Sequence, residues 1–318
     1  MTAYVIRRLI QAVIILIVVS MIIFLMLRFL PGDPLLLYIA QNQLTQLTEA
    51  DIQSLRVQFG LDKAVPLQYV DWLVDMFHGD FGTSIAYRDA VSKLLAERLP
   101  VTAHLGIISF IISNIIGVLA GLVCALRRGG KLDALVTSVA NFGISVPSFW
   151  LGILLIYLVG LKLDWLPICG YTSPFDDFWM STRQLIMPVL CLSVFSLASI
   201  TRQTRSSVLE VVRQDYIRTA WSKGLKERSV VMKHTLKNGL IPVITLAGLQ
   251  LAYIFGGSVF IESVFNIPGM GRLLISAIFA QDYPIVQACT LVIAVMVVLI
   301  NLLVDISYGW LDPRIRYG

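Results

Sequence analysis

Six apolar runs, each long enough to cross a bilayer, constrain this chain more than any other feature. They lie at 12–27 (continuing to Leu30 past Arg28), 103–125, 134–160, 185–201, 240–261 and 284–306. About 20 residues of helix cover a hydrocarbon core of about 30 Å. In hydrocarbon every backbone N–H and C=O needs a partner within the fold, so runs of this kind become helices. The composition agrees: 57% of residues are hydrophobic and 14% charged, against about 25% charged in soluble domains. The first run follows Arg7-Arg8 in the manner of a signal peptide, but no small-residue cleavage site follows it, so it reads as the first span.

Lys and Arg collect on the cytoplasmic side of membrane proteins. With the N-terminus placed inside, the inner segments hold Arg7, Arg8, Arg127, Arg128, Lys131, Arg314, Arg316 and the basic residues of 202–238, sixteen of the 25 Lys and Arg. The outer segments hold most of the acids, among them Asp33, Asp51, Asp62, Asp71, Asp75, Asp80 and Asp89. Both termini and the 202–238 loop are therefore expected in the cytoplasm, and 31–100 outside.

Several functions are excluded by what the spans lack. The net charge of +5 comes from bases beside apolar runs, not from a basic soluble domain, so nucleic acid is not an expected partner. Cys124, Cys169, Cys191 and Cys289 have neither zinc nor redox spacing, and His78, His104 and His234 are isolated, so no metal site is expected. No Asp, Glu, Lys or Arg lies near the middle of a span; the nearest are Arg28, Glu262 and Asp305, all near ends. Ion-coupled transporters and pumps place ionisable groups at the midplane. No P-loop occurs either, since Gly129-Gly-Lys131 lacks the motif's preceding glycine. Transport through such a chain must draw its energy from elsewhere.

The polar residues inside the spans are candidates to line a passage: Ser196, Gln250, Tyr253, Ser258, Gln287 and Asn301, with Ser193 and Ser199 beside them. Each equally suits a bond to a neighbouring helix or to its own backbone. Small residues recur every fourth position, at Ser113, Gly117, Gly121 and Ala125 and at Gly248, Ala252 and Gly256. Such faces let helices approach closely, within this subunit or against a second one.

The segment 31–100 opens on the turn Pro31-Gly-Asp-Pro34. Thr48-Glu-Ala-Asp51 has the form of a capping box. A short helix is expected over 66–77, a break at Gly79-Asp-Phe-Gly-Thr-Ser84, and a third helix over 89–99 running into Pro100 and the second span.

The remaining long charged segment, 202–245, lies between spans. In it Asp215-Tyr-Ile-Arg-Thr-Ala-Trp-Ser-Lys-Gly224 reads as about two turns of helix, with Asp215 as N-cap and Gly224 as the left-handed residue that ends it. Tyr216, Ala220, Ile217, Trp221 and Gly224 fall on one apolar face. A helix this short is unstable alone in water. Its face suits either an anionic lipid surface or a soluble docking partner.

The order of residues favours the second. Arg218-Thr-Ala-Trp-Ser-Lys-Gly224, followed by Asn238-Gly-Leu-Ile-Pro242, resembles the EAA loop of ABC-transporter permeases, with Arg218 and Thr219 in place of the usual Glu and first Ala. The version Tyr-Ile-Arg-Thr-Ala-x-x-Lys-Gly-Leu is similar to the peptide and nickel importer subfamily, as are Pro31-Gly-Asp-Pro34, Gly79-Asp-Phe-Gly-x-Ser84 and Asp312-Pro-Arg-Ile-Arg316. The resemblance implies an all-α, type I ABC importer permease: a first transmembrane helix at 1–30, an outer helical segment at 31–100, and a five-helix core at 101–318. It implies that Tyr216, Ile217, Arg218, Thr219, Ala220, Trp221, Lys223, Gly224, Leu225 and Glu227 form a coupling helix seated in an ATPase subunit. It also implies a second, homologous permease subunit, two cytoplasmic ATPases that bind ATP and Mg, an outer binding protein, and a place in the bacterial inner membrane. No cofactor or catalytic residue is expected in the chain itself. The expected cargo is a di- or oligopeptide. Nickel or a metal chelate remains open within the family, and an ATP-independent channel or exchanger outside it.

Overall fold

The computed structural model describes residues 2–29, 39, 48–58 and 62–311. Among these, every regular element is a helix: α1 (Thr2–Phe29), α2 (Glu49–Gln58), α3 (Val65–Phe77), α4 (Val91–Leu126), α5 (Lys131–Ser145), α6 (Ser148–Lys162), α7 (Phe178–Val212), α8 (Asp215–Ser222), α9 (227–239), α10 (Ile241–Val264), α11 (Met270–Phe279) and α12 (Tyr283–Leu311). The expected turn at 31–34 and the motif at 312–316 lie outside the described residues.

Among the described residues, five helices are long and apolar enough to cross a membrane, and α5 with α6 makes a sixth span if the pair is counted as one. That pair corrects the expectation of an unbroken span over 134–160: the two helices meet at 103°. The cause is Pro147. A residue before proline is pushed out of the helical region, and Val146 sits at φ −87°, ψ 125°, with Pro147 opening α6. Pro100 acts differently. It lies inside α4, so the helix expected over 89–99 and the second span are one rod of 36 residues, about 54 Å long. That exceeds the hydrocarbon thickness of about 30 Å, so α4 projects from the membrane at its N-terminal end. The boundary expected at residue 100 falls inside this helix, as the one at 202 falls inside α7.

The centre of the molecule is α4 against α7. A side chain added at Gly117 would put its Cβ 2.8 Å from Ile200 Cγ2, and one at Gly121 2.6 Å from the Thr201 carbonyl oxygen. The small-residue face of α4 therefore serves packing within the chain. The face on α10 divides: Gly248 lies hard against Val304 of α12, whereas Gly256 has nothing within 4 Å of a Cβ. Nearby, Val101, Leu105, Leu185, Met187, Cys191, Leu192, Ile261 and Phe265 form one apolar cluster, and Val91, Leu94, Leu95, Met270, Leu273, Ile285 and Cys289 a second.

Polar pins fix both ends of the bundle. At the basic end, Arg205 Nε and Nη2 donate to the two oxygens of Asp133 at 2.7 and 2.8 Å, tying α7 to α5, and the Gly129 amide caps the same carboxylate at 3.0 Å. Arg8 and Asp305 pair at 3.1 Å, joining α1 to α12. At the opposite end, buried Glu262 accepts from Thr102 Oγ1 (2.7 Å) and from the Gly271 and Arg272 amides (2.7 and 3.1 Å), so its carboxylate closes the N-terminus of α11. Buried Asp282 accepts from Ser84 Oγ at 2.6 Å and the Ala86 amide at 2.9 Å, holding the loop before α4 onto the α11–α12 turn.

The capping box of α2 forms as expected. The Thr48 amide donates to Asp51 Oδ2 at 2.9 Å and the Asp51 amide to Thr48 Oγ1 at 3.3 Å. The hydrogen bond from the Thr48 hydroxyl holds the Asp51 carboxyl below the usual carboxylate range. Helix α3 touches α1: Tyr69 and Ser20 hydroxyls are 2.8 Å apart, and Phe24 packs edge-on against Tyr69. Gly79 and Gly82 break the chain after α3 with φ of +80° and +77°.

Candidate functional site

The helix expected from Asp215 to Gly224 is present as α8, eight residues long. Its N-cap is Gln214, not Asp215; Asp215 is the first helical residue, and its carboxylate stands in the first turn where the helix dipole favours it. The C-terminal reading holds in detail. Gly224 has φ +73°. Its amide bonds the Trp221 carbonyl at 2.9 Å and the next amide, Leu225, reaches back to the Ala220 carbonyl at 3.4 Å. This is the two-bond Schellman closure of a helix by a left-handed glycine.

The apolar face is not a single surface. Ile217 is 0% exposed and Ala220 7%, both packed on Val230 with Val211 beside them. Tyr216, Trp221 and Leu225 remain 45%, 44% and 42% exposed. The helix leans on its own chain through the middle of the face and leaves the aromatic flanks outside. Asn238 Nδ2 donates to Tyr216 Oη at 3.1 Å and to the His234 carbonyl at 3.1 Å, so α9 holds α8 from the other side. Of the expected coupling residues, Tyr216, Arg218, Thr219, Trp221, Lys223, Gly224, Leu225 and Glu227 are exposed; Ile217 and Ala220 anchor them.

The candidates for lining a passage separate just as clearly. Ser196 Oγ donates to Gln250 Oε1 at 3.0 Å in the buried α7–α10 contact. Ser258 bonds its own helix at the Phe255 carbonyl, 2.9 Å, and Ser193 the Ser109 carbonyl, 3.1 Å. Gln287 and Asn301 lie half-buried on α12, with Asn301 Oδ1 buried and unpaired among the described residues. Of the six, Tyr253 reaches a cavity. Stacked on Phe195 at 4.7 Å, it borders a space of about 200 Å³ in the elbow between α5 and α6, with Pro147, Ser148 and Gly257.

A larger cavity, about 590 Å³, lies towards the basic end and shares Ile144 with the first. It is lined by Thr137 and Asn141 of α5, Ser199, Arg202, Gln203, Arg205 and Ser206 of α7, and Leu246 of α10. The sequence reading singled out only Ser199 of these as a candidate. Yet Ser199, Arg202, Gln203 and Ser206 stand at i, i+3, i+4 and i+7, one stripe of a helix, facing the i, i+4 pair Thr137 and Asn141. That spacing is the available signal in the sequence, hidden where the charge of Arg202 marks the start of a loop.

Apolar helices of spanning length, two cavities between α5, α7 and α10, and a short capped helix projecting from one end define a multi-pass membrane transport subunit. The chain belongs to the family described as the binding-protein-dependent transport system inner membrane component, which matches residues 117–317; the N-terminal family of the same membrane components matches residues 1–106. A Brucella abortus (strain 2308) protein, named provisionally as a peptide transport system permease protein, is 42% identical over all of both chains. The oligopeptide transport system permease protein AppB of Bacillus subtilis (strain 168) is 39% identical, again over all of both. In structure, the chain is similar to a subunit of the MetNI methionine ABC transporter in an inward-facing conformation, with a TM-score of 0.57, 18% identity, and coverage of 69% of this chain and 96% of that one. That likeness carries the fold, a type I ABC importer permease. Family membership implies ATPase and substrate-binding partners.

Proposed function

We propose that this chain is the permease subunit of an importer that carries di- or oligopeptides into the cytoplasm, driven by separate ATPase subunits that hold ATP and Mg. The observation that carries the reading is α8. Its Ile217 and Ala220 are rooted in the chain while Tyr216, Trp221 and Leu225 stand outside, so a push on the exposed side is passed to α7 through Val211 and to α9 through Val230. α9 leads directly into α10, whose Leu246 and Tyr253 border the two cavities. An ATPase that moves α8 thus has a packed route to the cavity walls.

The basic end faces the cytoplasm on this reading and the 48–90 segment faces outward, where a binding protein delivers cargo. A second, homologous permease subunit completes the pathway, since one chain supplies one α8 and two ATPases need two. The names of the full-length relatives favour peptide over nickel or a metal chelate as cargo. The chain itself carries no catalytic role.

The test is uptake of a radiolabelled dipeptide by liposomes holding both permeases and both ATPases, with binding protein outside and ATP inside. Uptake that needs ATP and stops with a hydrolysis-dead ATPase is the expected result. Equal uptake without ATP would make the protein a channel or exchanger and end this reading.

A further inference from the structure

We infer that the 590 Å³ cavity at the basic end is a binding site for the free α-carboxylate of a short peptide, with Arg202 as its anchor. The inference rests on the peptide-importer reading and adds to it a place where cargo is held inside the membrane subunit. Two arginines line the cavity, and they differ. Arg205 is committed: its Nε and Nη2 donate to both oxygens of Asp133 at 2.7 and 2.8 Å. Arg202, one turn earlier, is exposed to the cavity and makes no ion pair or side-chain hydrogen bond within the described protein. A guanidinium presents a planar fork of donors that matches a carboxylate in two parallel bonds.

The rest of the lining suits a peptide more than a simple anion. No carboxylate competes, because Asp133 is taken up by Arg205 and the Gly129 amide. Asn141 offers a whole amide with no partner among the described residues, and Gln203 keeps its carbonyl while its nitrogen donates to Ser207 at 3.1 Å. These groups, with the Ser199 and Ser206 hydroxyls, can pair with peptide N–H and C=O. The volume lies in the range of about 300–1,000 Å³ common for small-molecule sites. Leu246 supplies the apolar wall. Ile144 lines both this cavity and the one at the elbow.

The test uses the assembled permease–ATPase complex in nanodiscs without binding protein, and reads weak binding of dialanine by saturation-transfer NMR. Wild type and Arg202→Lys should give saturable methyl signals. Arg202→Gln should weaken them by about tenfold, the scale of one lost charge-assisted hydrogen bond, while ATP hydrolysis stays normal. Dialanine amide, which lacks the carboxylate, should bind wild type as weakly as dialanine binds Arg202→Gln. Equal binding of acid and amide, or no effect of Arg202→Gln, overturns the site. So does dialanine binding that appears in neutral nanodiscs and vanishes in anionic ones, because the occupant is then a lipid headgroup. Uptake of dialanine in liposomes judges the importer reading separately: uptake with binding indifferent to Arg202 leaves the importer standing and removes only this site. Binding without ATP-driven uptake removes the importer.

Discussion

Gly224 carries its weight through backbone conformation alone. Nothing lies within 4 Å of a Cβ built on it, so a side chain meets no clash, but φ +73° is a conformation that a β-branched residue resists. The strain of a left-handed L-residue is roughly 1–2 kcal/mol, and a loss of about 1.4 kcal/mol in docking weakens association tenfold. Gly224→Val should therefore reach the membrane at a normal level yet lose ATPase co-purification by about tenfold and abolish uptake, whereas Gly224→Asn, which tolerates this region, should retain most of both. Co-purification from detergent checks it. If Gly224→Val keeps its ATPase and transports normally, α8 is not the coupling element. Trp221 and Leu225 beside it are exposed for the same reason that Ile217 is not: the Schellman closure turns the chain so that α9 covers only the middle of the face.

At the scale of elements, small residues decide which helix faces are spent inside the chain. A Cβ at Gly121 would stand 2.6 Å from a backbone oxygen of α7, which cannot rotate away. Gly121→Leu should separate α4 from α7 and lower the amount of folded protein several-fold. Overpacking alone costs about 1–3 kcal/mol, and here the obstacle is backbone. A Cβ at Gly256 would have nothing within 4 Å among the described residues, so the folded level of Gly256→Leu should be near normal. If the exposed face of α10 meets the second permease, Gly256→Leu should instead reduce recovery of that partner. Size-exclusion profiles of the two variants, each co-expressed with the other subunits, separate the cases; equal behaviour of the two would contradict the division of faces. The elbow at Pro147 is an element-scale feature of the same kind, since it opens the space that Tyr253 borders.

For the whole molecule, charge and packing agree on two ends. Arg8 with Asp305, Asp133 with Arg205, and the α8–α9 hairpin all lie at one end, while Asp282 with Ser84 and Glu262 with Thr102 lie at the other. The positive-inside rule then predicts the orientation. In a protein without its four cysteines, Gln53→Cys should react with an impermeant maleimide in intact cells, and Lys226→Cys only after permeabilisation. Labelling of both from outside rejects the proposed orientation.

Much of this was legible in order alone. Hydrocarbon leaves the backbone few options, so the number of spans followed from run lengths. Local rules sufficed for the Thr48 capping box and for the left-handed Gly224, because each depends on neighbours three to five residues away. What only the tertiary structure decided depends on distant partners. The division of the α8 face needed Val230 and Val211. The burial of Ser196 and Gln250 needed α7 against α10. The contrast between Arg202 and Arg205 needed Asp133, 72 residues from Arg205 in sequence. Hydrophobic period says which side of a helix is apolar; it is the close packing of other helices, set by where glycines permit approach, that says which part of that side remains free to act.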